Sequence, residues 1–154
     1  MSEDSYEFKI DKWIFHIPKD RYYNENDSWV RVDGNIATVG ITDFRQTMVG
    51  DIIFVELPEP GKVVEQFDEA GSYESNKTLL DLISPVSGVI QEVNERLVDK
   101  PELINHAPYG DGWFIKVDVK DFALNKENLL SSEGYFDYMK RKAEEENKKL
   151  KGIL

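Results

Sequence analysis

The sequence contains no cysteine. That one absence excludes a disulfide framework, thiolate zinc sites, iron–sulfur ligation and a cysteine nucleophile. Histidine is scarce too, with only His16 and His106. The two lie far apart and match no metal-ligand spacing, so each reads as a surface or loop residue and no metal is expected. There is no G-x-S-x-G elbow, no P-loop and no G-x-G-x-x-G. The stretch "YGDGW" at 109–113 holds two glycines. A strand follows it, however, and a phosphate cradle needs a helix N-terminus. The carboxylates are spread along exposed positions without an acid/base pair, so no catalytic residue is expected and an enzyme acting alone is the weaker class. No apolar run approaches a membrane span. The acidic start "MSEDSYEFKIDKWIF" lacks the apolar core of a signal peptide, which makes the cytoplasm the expected location. Positive charge is also short: 19 Lys and Arg stand against 30 Asp and Glu, a formal net charge of -11. Such a chain repels phosphate backbones and anionic membranes, so neither is an expected partner, while basic patches on proteins attract it.

What is present suits one packed domain. The 154 residues are 40% hydrophobic and 12% aromatic, enough for a real core. Residues 1–16 read as a leader whose Trp13, Ile14, Phe15 and Ile17 pack in part on the body. Short strands follow from Trp29 to Val119. "WVRVDGNIATVGI" reads as a hairpin turning at Asp33-Gly34. "TDFRQTMVG" reads as a short helix, capped by Thr42 or Asp43 and ended by Gly50. "DIIFVEL" is a strand stopped by Pro58, and Pro60-Gly61 suits a type II turn. "KVVEQF", "GVIQEV" and "GWFIKVDV" read as further strands, and "VDKPELIN" as one helical turn with Pro101 at its first position. A weak echo between "GDIIFVELPEPGKVVEQ" and "SGVIQEVNERLVDKPEL" suggests two β-halves wrapped into a flattened barrel or sandwich. Residues 139–154 form a charged tail, part of a helix that starts near Ser132. Tyr135, Tyr138, Met139 and Lys142 share a face, and that apolar face is gone beyond Ala143. Glu144 and Glu145 stand four residues before Lys148 and Lys149, the favourable order for surface pairs.

One lysine stands apart. In "SYESNKTLLDLISPVSG", residues 72–88, Lys77 lies between two arms of a hairpin. A lone lysine in a turn is ordinarily a solvated residue. A lysine at a hairpin tip is also what a modifying enzyme needs, namely an accessible amine between two pieces of ordered backbone. Acylated, it becomes a tether whose cargo reaches successive active sites at high effective concentration. Pro85 and Gly88 then turn the chain away, and Gly88 is expected to need a special backbone angle.

The chain resembles the H-protein family of the glycine cleavage system, the lipoyl carriers, over about Ile17 to Tyr138. "WVRVDGNIATVGITDF" and "QTMVGDIIFVELPEPGKVV" look like its opening segments. "ESNKT" resembles the E-S-x-K-[AST] lipoylation motif. "SPVSGVIQEVNERLVDKPELIN" and "PYGDGWFIKV" resemble a continuation that biotinyl domains and other lipoyl domains normally lack. The resemblance implies a mainly β, hybrid barrel-sandwich fold of two small antiparallel sheets with short helices and a C-terminal helix, spanning 17–138. It implies lipoic acid on Lys77 through an amide, with Glu74 and Ser75 recognised by a lipoate ligase or lipoyl transferase. It further implies a non-enzymatic monomer that carries an aminomethyl group between the glycine decarboxylase, the aminomethyltransferase and dihydrolipoyl dehydrogenase.

Three departing residues qualify the likeness. "YNENDSW" places Asp27 and Ser28 where the family commonly has His and Glu, and Arg45 stands where a small residue is common. Two alternatives therefore stand beside glycine cleavage. One is an H-protein-like lipoate-binding protein carrying sulfur intermediates beside a heterodisulfide-reductase-like complex. The other is an unmodified scaffold, against which the joint retention of Glu74, Ser75 and Lys77 argues.

Overall fold

The computed structural model describes residues 4–152. Residues 1–3 of the leader and 153–154 of the tail lie outside the described residues. The leader is a hairpin, β1 (Ser5–Ile10) and β2 (Trp13–Pro18), which form a two-stranded sheet of their own. Alternation along β2 buries Phe15 and Ile17 and turns Ile14 outward. Strands β3 (Tyr22–Tyr23), β4 (Ser28–Asp33) and β5 (Ile36–Ile41) follow, then α1 (Asp43–Val49) and β6 (Ile52–Glu56). Next come β7 (Val63–Val64), β8 (Glu69–Ser75), β9 (Leu79–Ile83) and β10 (Gly88–Val93). The last elements are α2 (Arg96–Asp99), α3 (Leu103–His106), β11 (Ile115–Val119), α4 (Phe122–Lys126) and α5 (Ser132–Leu150).

One antiparallel sheet has the order β3-β4-β5-β11-β10-β7 and another the order β6-β8-β9. Apolar residues of both sheets, among them Val39, Val55, Tyr73, Leu82 and Ile90, form one buried cluster with Phe114 just before β11, which makes the fold a barrel-sandwich hybrid. The two halves of the sequence echo contribute β6 to the smaller sheet and β10 to the larger. A second cluster joins the leader hairpin to the C-terminal helix: Phe15, Ile17, Tyr23, Trp29, Phe44, Tyr135, Met139 and Ala143. Tyr135, Met139 and Ala143 recur every four residues, so one stripe of α5 is buried and the stripe ends at Ala143, as the sequence pattern indicates. Among the described residues, no helix is long and apolar enough to cross a membrane.

Local signals mostly act as read. Thr42 caps α1 by accepting from Arg45 N, and Gly50 ends it at φ 88°. Gly61 has φ 95° and Lys62 N donates to Glu59 O, as a type II turn over Pro60-Gly61 requires. Five expectations change. The β4–β5 turn is centred on Gly34-Asn35, because Asp33 still pairs with Ile36; only Gly34 takes a positive φ there. Pro101 lies between two single-turn helices, α2 and α3, and not at the first position of one. The "KVVEQF" strand is only two residues long. It stops before Phe67, whose φ of 74° leaves the strand region. On α5 the ion pair is Glu146–Lys149 at 3.3 Å, three residues apart and not four.

Gly88 is the fifth. Its φ is ordinary for a strand, so the reason for glycine is not conformation. A Cβ there would lie 2.1 Å from Asp118 O and 2.9 Å from Val117 Cγ1 on β11. Close approach of β10 to β11 requires the missing side chain. Gly88→Ala is expected to cost about 1–3 kcal/mol by overpacking, read as a lower urea midpoint.

Four tyrosines give the fold an alkaline limit. Burial pushes Tyr73 up to about 12 and Tyr23, Tyr109 and Tyr135 well above the ordinary phenol value of 10. The unfolded chain ionises them near 10 while the folded chain keeps them protonated. Their contribution is therefore complete below pH 10 and is lost as pH rises toward 12. Urea midpoints should fall steadily over that window.

Candidate functional site

The hairpin β8–β9 closes tightly around Lys77. Ser75 N donates to Thr78 O at 2.9 Å, leaving Asn76 and Lys77 as the two tip residues. Lys77 N donates to Ser75 Oγ at 3.2 Å. Ser75 is itself buried, so its hydroxyl is held where it fixes the Lys77 backbone. The Lys77 side chain is exposed, and among the described residues its ammonium is in no ion pair. Glu74 sits one position further down β8, half-buried, between Phe54 of β6 and Leu79 of β9. The three sequence-selected residues therefore stand together. Ser75 faces inward, Glu74 faces outward and Lys77 projects from the tip.

Beside the hairpin lies an open cleft of about 320 Å³. Thr78 and Leu80 of the hairpin form one wall, and Phe44, Arg45, Met48 and Val49 of α1 another. Lys142, Glu145, Glu146 and Lys149 of α5 complete it, with Asp27 among the lining residues. This is a polar and apolar slot that begins one residue from the lysine, wide enough for an apolar arm with a small polar end.

Asp27 organises the cleft. It is 1% exposed and has φ 63°, a left-handed conformation that Asp tolerates better than most residues. Tyr135 OH donates to its Oδ1 at 2.7 Å, and Lys142 Nζ donates to Oδ2 at 2.8 Å. Arg45 Nε stands 3.3 Å from the same Oδ2 as an ion pair, while Arg45 Nη2 donates to Asn26 O at 2.6 Å. Thr42 Oγ1 meets Tyr135 OH at 2.8 Å. Two of the departures from the family pattern, Asp27 and Arg45, are thus one compensated pair. Ser28, the third, is buried with a hydroxyl that finds no partner among the described residues. Sequence reading reached Asp27 and Arg45 separately but not their link, and it missed Lys142 and Tyr135 as partners. A sequence separation of 115 residues between Asp27 and Lys142 leaves no local signal.

The histidines lie elsewhere. His16 contacts Glu7 at 3.1 Å and Asp43 at 3.5 Å on the leader side, and His106 is exposed at the end of α3. Among the described residues, no group of His, Asp or Glu is arranged to hold a metal ion.

Comparison with known proteins bears on the same region. Residues 21–142 match the family described as glycine cleavage H-protein. The glycine cleavage system H protein of Carboxydothermus hydrogenoformans is 44% identical over 128 residues, 83% of this chain and 98% of that protein. The probable glycine cleavage system H protein of Aeropyrum pernix is 45% identical over 130 residues, 84% of this chain and 90% of that one. A crystal structure of a glycine cleavage system H protein from Mycobacterium marinum superposes with a TM-score of 0.68 at 38% identity, covering 77% of this chain and 95% of that one. A match of this extent, from β3 through most of α5, settles the family: the chain belongs to the glycine cleavage H-proteins.

Proposed function

We propose that this protein is the lipoyl carrier of the glycine cleavage system, with lipoate joined to Lys77 through an amide bond. The observation that carries the reading is the exposed Lys77 amine, unpaired among the described residues, on a tight hairpin whose next residue already lines a cleft. The residues suit the group. An exposed primary amine accepts the acyl chain, and Thr78, Leu80, Met48 and Val49 offer the arm a mixed apolar wall. Bound there, lipoate supplies a disulfide that accepts the transferred group and is later re-formed. The chain itself fixes the root of the arm, shelters its end and presents docking surfaces. Its partners in this reading are the decarboxylase, the aminomethyltransferase, dihydrolipoyl dehydrogenase and a lipoate ligase or lipoyl transferase, all met in the cytoplasm.

The cleft is charged but neutral in sum: Arg45, Lys142 and Lys149 stand against Asp27, Glu145 and Glu146. Asp27 holds both Arg45 and Lys142, and Lys149 is held by Glu146. The choice of an aminomethyl cargo therefore rests on the family match over residues 21–142 and not on the charge of the cleft.

The test begins with lipoate, a ligase and the purified chain. Intact mass and peptide mapping should show one lipoyl group, on Lys77. The loaded carrier should then support exchange of the glycine carboxyl carbon with bicarbonate in the presence of the decarboxylase. Lipoylation without exchange, together with a stable sulfur adduct on the reduced arm, would transfer the assignment to the sulfur pathway.

A further inference from the structure

We propose that the outer face of the sheet β6-β8-β9 is the docking surface for the enzyme that acylates Lys77, with Phe54 and Leu79 as its apolar contacts. The inference rests on the reading that Lys77 is acylated. Strand register sets the face. Phe54, Glu74 and Leu79 lie in one row across the three strands, and Glu56, Ser72 and Asp81 lie in the next. The inward row of the same sheet, Val55, Tyr73 and Leu80, belongs to the core or packs against it. Phe54 is 58% exposed and Leu79 61%.

A bulge enlarges the apolar part. Ile52 pairs with Ser75 and Phe54 with Glu74, so β6 carries one residue more than β8 at this point. The extra residue is Ile53, and it is exposed as well, at 52%. Two consecutive large apolar side chains on a short strand have no folding role at that exposure. Clustered with Leu79 beside the lysine, they mark an interaction site.

The charges name the partner's chemistry. Glu56 and Asp81 flank this row and Glu74 lies within it, and among the described residues none of the three is in an ion pair or a side-chain hydrogen bond. The complementary surface is an apolar pocket ringed by lysine or arginine. Of the enzymes that handle this carrier, one alone must bring its reactive carbon to the root of the arm. In that reaction the deprotonated Lys77 amine attacks the carbonyl of an activated lipoyl group. The amide bond forms, the activating group leaves and the amine gives up its second proton to water. The row begins two residues from Lys77, so an enzyme seated at the amine covers it. Enzymes that act on the cargo meet the far end of the arm, away from the hairpin.

The experiment measures initial rates of lipoylation against concentration of the full chain, using lipoate ligase, lipoate and ATP, with intact mass as the readout. Phe54→Ser and Leu79→Ser should each raise KM for the carrier roughly tenfold or more while kcat stays within about twofold. Val63→Ser, which removes an equally exposed apolar group from the other sheet, should leave KM unchanged. Glu56→Gln and Asp81→Asn should weaken the salt dependence of kcat/KM. Wild-type KM for both Phe54→Ser and Leu79→Ser overturns the proposal. So does an equal loss by lipoylated Phe54→Ser in glycine carboxyl exchange, because the face then serves the decarboxylase. Absence of any lipoyl group on wild-type Lys77 is a different failure, and it removes the functional reading itself.

Discussion

Lys77→Arg is expected to fold as the wild type does, to carry no lipoyl group and to lose glycine carboxyl exchange. The substitution keeps the positive charge and a side chain of similar length. Lys77 is exposed and only its backbone N–H is used in the turn, so the change in stability should stay within about 0.5 kcal/mol. Chemistry, not folding, is what changes. The guanidinium lone pairs are delocalised and the group stays protonated in proteins, so it does not attack an activated acyl carbon as an amine does. Without the tether, exchange depends on free lipoate in solution, and the effective concentration of the arm is lost. Exchange should fall by roughly 100-fold or more, while urea midpoint and circular dichroism match the wild type. A lipoyl group on any other lysine of the variant would sink the assignment.

Asp27→Ala is expected to be the most damaging single change outside the main core. It removes the carboxylate that holds Lys142, Arg45 and Tyr135 OH together. Removing one member of a buried ion pair costs about 3–5 kcal/mol, because the remaining charge is left without its partner. Arg45 and Lys142 are each partly exposed and regain some water, which puts the expected cost near the lower end, about 3 kcal/mol. A β-carbon without a polar group at φ 63° adds roughly 1 kcal/mol. Asp27→Asn keeps the left-handed tolerance and an oxygen for Tyr135, so it should cost roughly half as much. The same geometry governs an imidazole at this position. Asp27→His alone places it against two cations, and its destabilisation should be relieved by Arg45→Ala in the same chain. Additive effects of those two substitutions, measured as a double-mutant cycle, would show that the pair is not coupled.

Much of the site was legible because the signals are local. The two-residue tip, Ser75 and Lys77 are within three positions of one another, and turn chemistry acts over that range. The long pieces of resemblance, from "QTMVGDIIFVELPEPGKVV" to "PYGDGWFIKV", lie inside the segment that matches the family. The leader was harder to read. Its strands β1 and β2 pair from Ser5 with Pro18 to Ile10 with Trp13, but β1 alternates weakly and its partner for burial is α5, more than a hundred residues on. Gly88 shows the same limit. The sequence marks a glycine, yet the cause is a carbonyl on β11 thirty positions away and not an angle of its own.

The sequence by itself singled out Lys77, the hairpin around it and the caps of α1, while its resemblance to a family implied the barrel-sandwich class. The hairpin and the caps depend on residues close together in the chain and on alternation that a strand imposes at every second position. Tertiary structure alone decided how the departures at Asp27 and Arg45 fit together. It brought Lys142 and Tyr135 of α5 to a carboxylate on the loop before β4, and so made a charged helix into a wall of the cleft beside Lys77. The reason is distance along the chain. An ion pair across 115 residues follows from the packing of the second apolar cluster, and that packing exists only once both ends of the chain have folded onto the same face.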